Sequence, residues 1–190
     1  NRSLTTYDQF SKIDFENKIS SHLVSIGFTE IMTNSLVSPK YNEENKNIKN
    51  PSNVNVINSS SADLSSLRNS LMFTGVQALS YNINRKQSNL KMFEFGKTYH
   101  LIDGNNKEFS HLSILMLGTK STTHWKKSND SIDFFYAKGI VLTLLEKIGL
   151  SKIKYTYQKS DIFSEGQTLN IGGKSIVDYG IVKKSITKKF

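Results

Sequence analysis

One stretch of the chain, residues 63–101, has the most regular pattern in the sequence and therefore limits the fold most strongly. Its first half places apolar residues at i, i+4, i+7 and i+11: Met72, Val76, Leu79 and Ile83. This spacing follows the 3.6-residue period of an α-helix and forms one apolar stripe. The pattern predicts a helix over residues 71–84 that turns this stripe toward the core.

The second half of the same stretch alternates apolar and polar side chains. It follows a basic link over residues 85–91, and only Lys97 interrupts it. The apolar positions are Phe93, Phe95, Tyr99 and Leu101, and the positions between them are Glu94, Gly96, Thr98 and His100. Because successive side chains of a strand point to opposite faces, the alternation predicts a strand with its odd-numbered face buried.

The remaining patterns predict two further helices and several strands. Residues 14–26 carry an apolar helical face, and Asp133 suits the N-cap of a helix over residues 133–148. The face consists of Phe15, Ile19, Leu23 and Ile26. Asp103 and Gly104 within a polar loop predict a hairpin. Strands are expected to begin near Thr29, Val54, Leu90, His111, Ile153, Gln167 and Ser175.

Length and composition exclude several classes of protein. The chain has 190 residues and no cysteine, which excludes a disulfide framework and a thiolate metal site or nucleophile. No apolar run approaches the ~20 residues that span a bilayer, so we expect a cytoplasmic protein. The sequence starts at Asn1 without an initiator methionine or a signal-like segment. We therefore expect one domain, residues 1–190, taken from a longer chain.

The net charge of +9 allows two interpretations. Clustered lysine and arginine neutralise phosphates, which would make the chain a nucleic-acid-binding module. The charge is almost entirely lysine, however, and it is spread along the sequence. Arginine, the usual residue for bidentate phosphate and base contacts, occurs only at Arg2, Arg68 and Arg85. The pattern favours a solvated basic surface with a general attraction to RNA.

No motif in the sequence indicates catalysis. Gly173-Lys174-Ser175 resembles the end of a phosphate-binding loop, but Thr168 stands where that loop needs its first glycine. No two histidines have the i, i+4 spacing of a helical zinc site. We therefore predict no catalytic, metal or cofactor-binding residue in this chain.

Several short motifs resemble the core domain of the phenylalanyl-tRNA synthetase β-subunit family in their order and spacing. They are Leu67-Arg68-Asn69-Ser70-Leu71, Tyr81-Asn82-Ile83-Asn84-Arg85, Phe93-Glu94-Phe95-Gly96 and Ile132-Asp133-Phe134-Phe135-Tyr136-Ala137-Lys138-Gly139. The resemblance covers nearly the whole chain. It implies an α+β fold in which an antiparallel sheet is flanked by helices, as in class II aminoacyl-tRNA synthetases.

The resemblance also implies a subunit interface. The segment that follows the first predicted helix is similar to the first signature of class II synthetases, which forms the dimer interface in that class; Asn34 stands where catalytic chains have proline. The implied interface residues are Phe15, Ile19, Leu23 and Ile26. The alternative is an ordinary amphipathic helix that packs on its own sheet.

The same resemblance implies a pocket that has lost its catalytic charges. Class II catalytic chains grip the α-phosphate of ATP with an arginine in the second signature strand and another in a glycine-rich third signature. Here His100 replaces the first arginine, and no arginine follows Arg85. A histidine near its reference pKa is mostly neutral at pH 7. Arg68 and Glu94 match family positions, so Arg68, Glu94 and His100 would line or brace a degenerate pocket.

The implied function is a non-catalytic structural and assembly domain of phenylalanine–tRNA ligase. The domain would support the catalytic α subunit in an enzyme of two α and two β chains, which charges tRNA with phenylalanine using ATP and Mg. It would hold no cofactor itself and would contact no membrane. Two alternatives remain: an active ATP-using enzyme on this scaffold, and a tRNA-binding module that acts through its basic surface.

Overall fold

The computed structural model describes residues 11–43, 53–121, 130–150, 153–156 and 162–189, and in them helices and strands alternate. The helices are α1 (Lys12–Ser25), α2 (Pro39–Glu43), α3 (Met72–Ile83), α4 (Phe134–Lys147) and α5 (Lys184–Thr187), with a short 3-10 helix at Ala62–Leu64. The strands are β1 (Thr29–Glu30), β2 (Leu36–Val37), β3 (Ser66–Leu67), β4 (Leu90–Ile102), β5 (Asn105–Leu117), β6 (Lys154–Thr156), β7 (Phe163–Ile171) and β8 (Lys174–Val182). None of the helices described is long and apolar enough to cross a bilayer.

The predicted helix-then-strand unit is confirmed as α3 followed by β4. The buried residues of α3 are concentrated in its first half, at Phe73, Thr74, Gly75 and Val76. The end of the predicted apolar stripe, Ile83, is exposed instead. The helix therefore enters the core at its N-terminal half and leaves it before its last turn.

The hairpin predicted at Asp103 and Gly104 is also confirmed. Both residues have positive φ, +51° and +74°, as a type I′ turn requires, and glycine adopts this conformation without steric cost. The turn joins β4 to β5 in an unbroken antiparallel register from Leu90↔Leu117 to Ile102↔Asn105.

The predicted α+β fold with antiparallel strand pairs is confirmed, but the described strands are divided among separate sheets. In the described residues β1, β4 and β5 form one sheet, β6, β7 and β8 a second, and β2 with β3 a small ribbon. The strand β1 runs parallel to β4, and the strand expected at Val54 is reduced to one bridge between Asn55 and Ser66. Alternation along a segment predicts a strand, but its hydrogen-bonding partner depends on tertiary packing that the pattern does not encode.

Helix α4 connects the cores of the two main sheets. Its N-cap is Asp133, as predicted, because the Asp133 carboxylate accepts a hydrogen bond of 2.7 Å from the Tyr136 N–H. Leu144 packs in the cluster around Phe93 of β4, and the next residue, Leu145, packs in the cluster around Leu169 of β7. The two sheets therefore associate through side-chain packing on a shared helix.

The predicted interface stripe of α1 lies against the chain's own core. Leu23 and Ile19 are buried with Phe93, and Phe15 and Ile26 are partly buried at the margin of the same cluster. Helix α1 begins at Lys12, capped by Ser11, two residues before the expected start at Asp14. This packing agrees with the alternative of an amphipathic helix on its own sheet. The interface role stays a prediction for Phe15 and Ile26, while Ile19 and Leu23 have almost no surface left for a partner.

We expect neighbouring substitutions on α1 to differ sharply in their effect on stability. Leu23 is 0% exposed and Val24 is 56% exposed. Leu23→Ala should lower the free energy of unfolding by about 2–5 kcal/mol, because it removes buried methyl groups and leaves a cavity. Val24→Ala should change it by less than about 0.5 kcal/mol. Urea denaturation of both variants measures the difference, and equal midpoints would contradict the described orientation of α1.

Candidate functional site

A buried ion pair between Arg68 and Glu94 lies where the sequence predicted a degenerate pocket. Arg68 Nη1 is 2.9 Å from Glu94 Oε1, and the two side chains are only 4% and 2% exposed. Arg68 directly follows β3, and Glu94 lies on β4 beside the core residue Phe93. Of the three predicted pocket residues, these two are in direct contact.

The backbone around Arg68 fixes the position of this side chain. The Arg68 N–H donates to the Ser35 carbonyl, and the Arg68 carbonyl accepts from the Tyr99 N–H, both at 2.9 Å. Residue 68 therefore connects the segment before β2 to the C-terminal half of β4. The N–H and the carbonyl of Arg68 are both hydrogen-bonded, so the backbone that carries the guanidinium into the interior is fixed.

The remaining polar atoms of the ion pair find partners within the same cluster. Glu94 accepts hydrogen bonds from the Thr33 N–H at 3.2 Å and from the Thr33 hydroxyl at 2.7 Å. Arg68 donates through Nε to the Lys97 carbonyl at 3.0 Å and through Nη1 to Thr33 Oγ1 at 2.7 Å. Thr33 Oγ1 also lies 2.9 Å from Thr74 Oγ1 on α3. Buried charges are tolerated when they are paired and hydrogen-bonded in this way.

Gly96 makes room for the guanidinium on the face of β4. A Cβ atom at this position would lie 2.6 Å from Arg68 Nη2, 2.7 Å from Leu71 Cδ2 and 3.2 Å from Glu94 Oε1. The first two separations are shorter than real Cβ atoms show, and the third is tighter than most real contacts. The close approach of Arg68 to the strand therefore depends on the absence of a side chain at residue 96.

His100, the third predicted pocket residue, forms a separate cluster farther along the same face of β4. His100 Nε2 lies 2.9 Å from Thr98 Oγ1, and His111 Nε2 of β5 lies 3.0 Å from the same oxygen. Burial lowers the pKa of both histidines, and the nearby His111 lowers the pKa of His100 further. A hydroxyl has one hydrogen to donate, so it donates to one neutral imidazole and accepts from the other.

The sequence interpretation missed most of the residues that surround the ion pair. It assigned the odd-numbered face of β4 to the core, yet Glu94 and Thr98 on the other face are also buried. Thr33 and Thr74 come from distant segments, and no sequence signal linked either of them to this cluster. The spacing of Glu94, Gly96 and Thr98 at every second residue was the available signal, since it places all three on one face of a strand.

The charged groups of this arrangement are engaged within the chain. The guanidinium is paired with Glu94, and burial lowers the pKa of both histidines beside Thr98. Within the described residues, no group of three or more histidine, aspartate or glutamate side chains could hold a metal ion. The cluster has the character of an internal brace between β4, α3 and the segment around Thr33.

Comparison with known protein families identifies the chain. Residues 3–190 match the family described as the phenylalanyl tRNA synthetase beta chain CLM domain. The chain belongs to this family. The resemblance inferred from the sequence motifs is thereby confirmed over almost the whole chain.

Curated relatives agree with this family. The β subunit of phenylalanine–tRNA ligase from Bacteroides thetaiotaomicron is 31% identical over 204 residues and aligns with 100% of the chain. The corresponding subunit from Bacteroides fragilis is 31% identical and aligns with 99% of the chain. The chain spans about a quarter of the length of these relatives, 25% and 24% respectively.

Solved structures confirm the class II synthetase-like fold. A pyrrolysyl tRNA synthetase from Desulfitobacterium hafniense superposes with a TM-score of 0.69 at 16% identity, covering 97% of the chain and 63% of that structure. An ATP phosphoribosyltransferase regulatory subunit/histidyl-tRNA synthetase from Bacillus halodurans superposes with a TM-score of 0.58 at 13% identity, covering 82% of the chain and 40% of that structure. At these identities the similarity concerns the fold alone.

We expect Gly96→Ala to disrupt the buried ion pair. The added methyl group would push against the guanidinium of Arg68, which is held in place by its hydrogen bonds. The free energy of unfolding should therefore fall by about 3 kcal/mol. Gly139→Ala is the matched control, because nothing lies within 4 Å of a Cβ there. In the interior of α4 this control should be stabilising by up to about 1 kcal/mol. Urea denaturation compares the two, and a Gly96→Ala variant as stable as the wild type would contradict the close approach of Arg68.

We also expect the domain to lose stability as the pH falls below about 6.5, the reference pKa of histidine. Because the pKa values of His100 and His111 are lowered in the folded state, the unfolded chain binds more protons below this pH. Their contribution is complete above about 6.5 and is lost as the pH falls through the folded-state values. Urea denaturation between about pH 7.5 and pH 5 measures the loss.

The double variant His100→Gln, His111→Gln provides the comparison for this pH dependence. Glutamine can donate to Thr98 or accept from it without titrating, so the decline of stability with falling pH should be shallower. A residual slope is expected from His22, whose pKa is lowered by burial and by the charge of Lys147. An unchanged slope in the double variant would show that the cluster around Thr98 does not hold its histidines neutral.

Proposed function

We propose that the chain is a non-catalytic structural and assembly domain of the β subunit of phenylalanine–tRNA ligase. In this proposal it supports a catalytic α subunit in a cytoplasmic enzyme of two α and two β chains, which uses ATP and Mg to charge tRNA with phenylalanine. The observation that carries the proposal is the buried pair of Arg68 and Glu94, in which the chain itself neutralises the cation of the degenerate pocket.

The residues present do not fit an ATP site of the class II kind. Activation of an amino acid needs preorganised positive charge where the α-phosphate develops negative charge. Arg68 is bound to Glu94, and His100, which stands in the place of the first catalytic arginine, has a lowered pKa. The sequence has no arginine after Arg85 that could supply the second charge. ATP and Mg are therefore assigned to the whole enzyme, outside this domain.

The buried pair supports an assembly role because it shapes the surface beside it. The Ile31 N–H donates to the Phe93 carbonyl at 2.8 Å, and the Thr33 N–H donates to Glu94. The residue between these anchors, Met32, is 94% exposed. A flexible apolar side chain on a fixed backbone suits a protein interface, where methionine is enriched. Met32, together with the partly buried Phe15 and Ile26, is the surface that we assign to the α subunit.

We expect Met32→Asp to weaken capture of the chain by its cognate α subunit at least about tenfold, since it places a charge in an apolar contact. Ile57→Asp is the control, because Ile57 is another exposed apolar residue and lies outside this segment. Pull-down with immobilised α subunit measures capture. Both variants should melt at the wild-type temperature, because neither residue contributes to the core.

Three results would contradict the proposed function. The wild-type chain would fail to bind the α subunit, or Met32→Asp and Ile57→Asp would bind it equally well. Alternatively, the chain alone would form phenylalanyl-adenylate when given ATP, Mg²⁺ and phenylalanine. That last result would favour an active enzyme on the same scaffold.

A further inference from the structure

The outer face of α3 and the turn that follows it carry three exposed polar or aromatic residues. Gln77, Tyr81 and Arg85 are exposed and follow one another at i, i+4 and i+8, the spacing of side chains on one helical face. The buried residues of α3, from Phe73 to Val76, occupy the N-terminal half of the helix. The row therefore extends from the middle of α3 past its C-terminal end and lies outside the described core.

Arg85 and Tyr81 form a preorganised stacked pair within this row. The guanidinium carbon of Arg85 lies 3.3 Å from the centroid of the Tyr81 ring. Arg85 Nη1 donates to the Tyr81 carbonyl at 3.0 Å, which leaves Nε and Nη2 without a partner among the described residues. Tyr81 remains 57% exposed although Arg85 covers one of its faces. The pair thus presents an aromatic surface and unused guanidinium donors at the same place.

The segment that carries the pair contains positive charges and no carboxylates. The sequence contains no aspartate or glutamate from residue 64 to residue 93, whereas Arg85 and Lys86 adjoin each other at the end of α3. None of the four ion pairs found in the described part of the chain includes Arg85 or Lys86. An anionic partner would therefore meet no carboxylate in this segment.

Compensation of the helix dipole accounts for only part of this arrangement. A cation near the C-terminus of a helix is stabilising, which explains the charges of Arg85 and Lys86. It does not explain an exposed tyrosine ring or the amide at Gln77. Unpaired RNA is bound by this set of groups: an aromatic ring that stacks on a base, an amide that hydrogen-bonds to base edges, and a guanidinium that contacts phosphate.

We propose that Gln77, Tyr81 and Arg85 form a contact surface for an unpaired segment of RNA. Tyr81 stacks on a base, and Arg85 and Lys86 contact the adjacent phosphates. This surface is independent of the assembly role, since none of its residues belongs to the segment around Met32. A chain that fails to bind the α subunit would still bind RNA through it.

The test measures binding of a fluorescent short oligouridylate to the 190-residue chain by anisotropy. Tyr81→Ala should weaken binding about tenfold through loss of stacking, and Tyr81→Phe should stay within about twofold of the wild type because it keeps the ring. Arg85→Ala should weaken binding about fivefold. Affinity falls with rising salt, and Arg85→Ala should make the slope of log affinity against log salt shallower by about one. The slope is measured between about 50 and 200 mM salt.

Lys174→Ala is the matched control, because it removes one exposed positive charge from the hairpin between β7 and β8. It should change the affinity less than twofold, which distinguishes a local site from general attraction to a basic protein. A duplex RNA of the same length should bind more weakly than the oligouridylate, since its bases are not available for stacking.

Any one of four results would overturn the proposal. The wild-type chain would not bind oligouridylate at low salt, or it would bind duplex and unpaired RNA equally. Lys174→Ala would weaken binding as much as Arg85→Ala, which indicates unspecific charge. Lastly, Tyr81→Ala would leave RNA binding intact and reduce capture by the α subunit, which indicates a protein interface on this face.

Discussion

The structure depends on a pair of opposite charges placed where water is excluded. Neither Arg68 nor Glu94 would be stable alone in this interior, because desolvation of an unpaired ion costs several kcal/mol. Their attraction therefore fixes the positions of the elements that carry them. Thr33, Thr74 and the Lys97 carbonyl complete the hydrogen bonding, so the segment before β2, helix α3 and strand β4 meet in one arrangement. Gly96 is part of the same constraint, because only a residue without a Cβ allows the guanidinium to lie against the strand.

This brace gives the buried arginine of a synthetase-like fold a structural role. An enzyme of this class needs cations that are free to meet phosphate, whereas this domain uses its pocket arginine to hold its own backbone together. The fold and the reactive groups are separable properties. The extended segment around Met32 is fixed by the same brace, because the Thr33 N–H donates to Glu94.

Local periodicity predicted the local structure well. The stripe from Met72 to Ile83 predicted helix α3, and the turn residues Asp103 and Gly104 predicted the long hairpin. Periodicity did not predict which residues pack against each helix or strand. The apolar face of α1 was open to a partner subunit or to the chain's own sheet, and the structure packs Ile19 and Leu23 with Phe93 and Leu144. A stripe has the same spacing whether its contacts lie in the same chain or in another.

The candidate site was predictable only in part, for a related reason. Arg68 and Glu94 were found through family motifs, and the structure brings them together. His100 was grouped with them because it stands in the place of the first catalytic arginine, and the structure places it beside Thr98 and His111. The hydrogen-bonding partners of the ion pair come from residues far away in sequence. Hydrogen bonds between distant segments leave no periodic pattern in the sequence.

The position of α4 between the two main sheets has a consequence for how the length of this domain can vary. Leu144 and Leu145 are consecutive, yet each packs in a different core. Each residue added to or removed from a helix rotates everything beyond it by about 100°. An insertion or deletion in the first turns of α4 would therefore withdraw both leucines from their cores at once. We therefore expect insertions and deletions in this part of the domain to occur in the connections that precede or follow α4, while the helix itself keeps a constant number of residues.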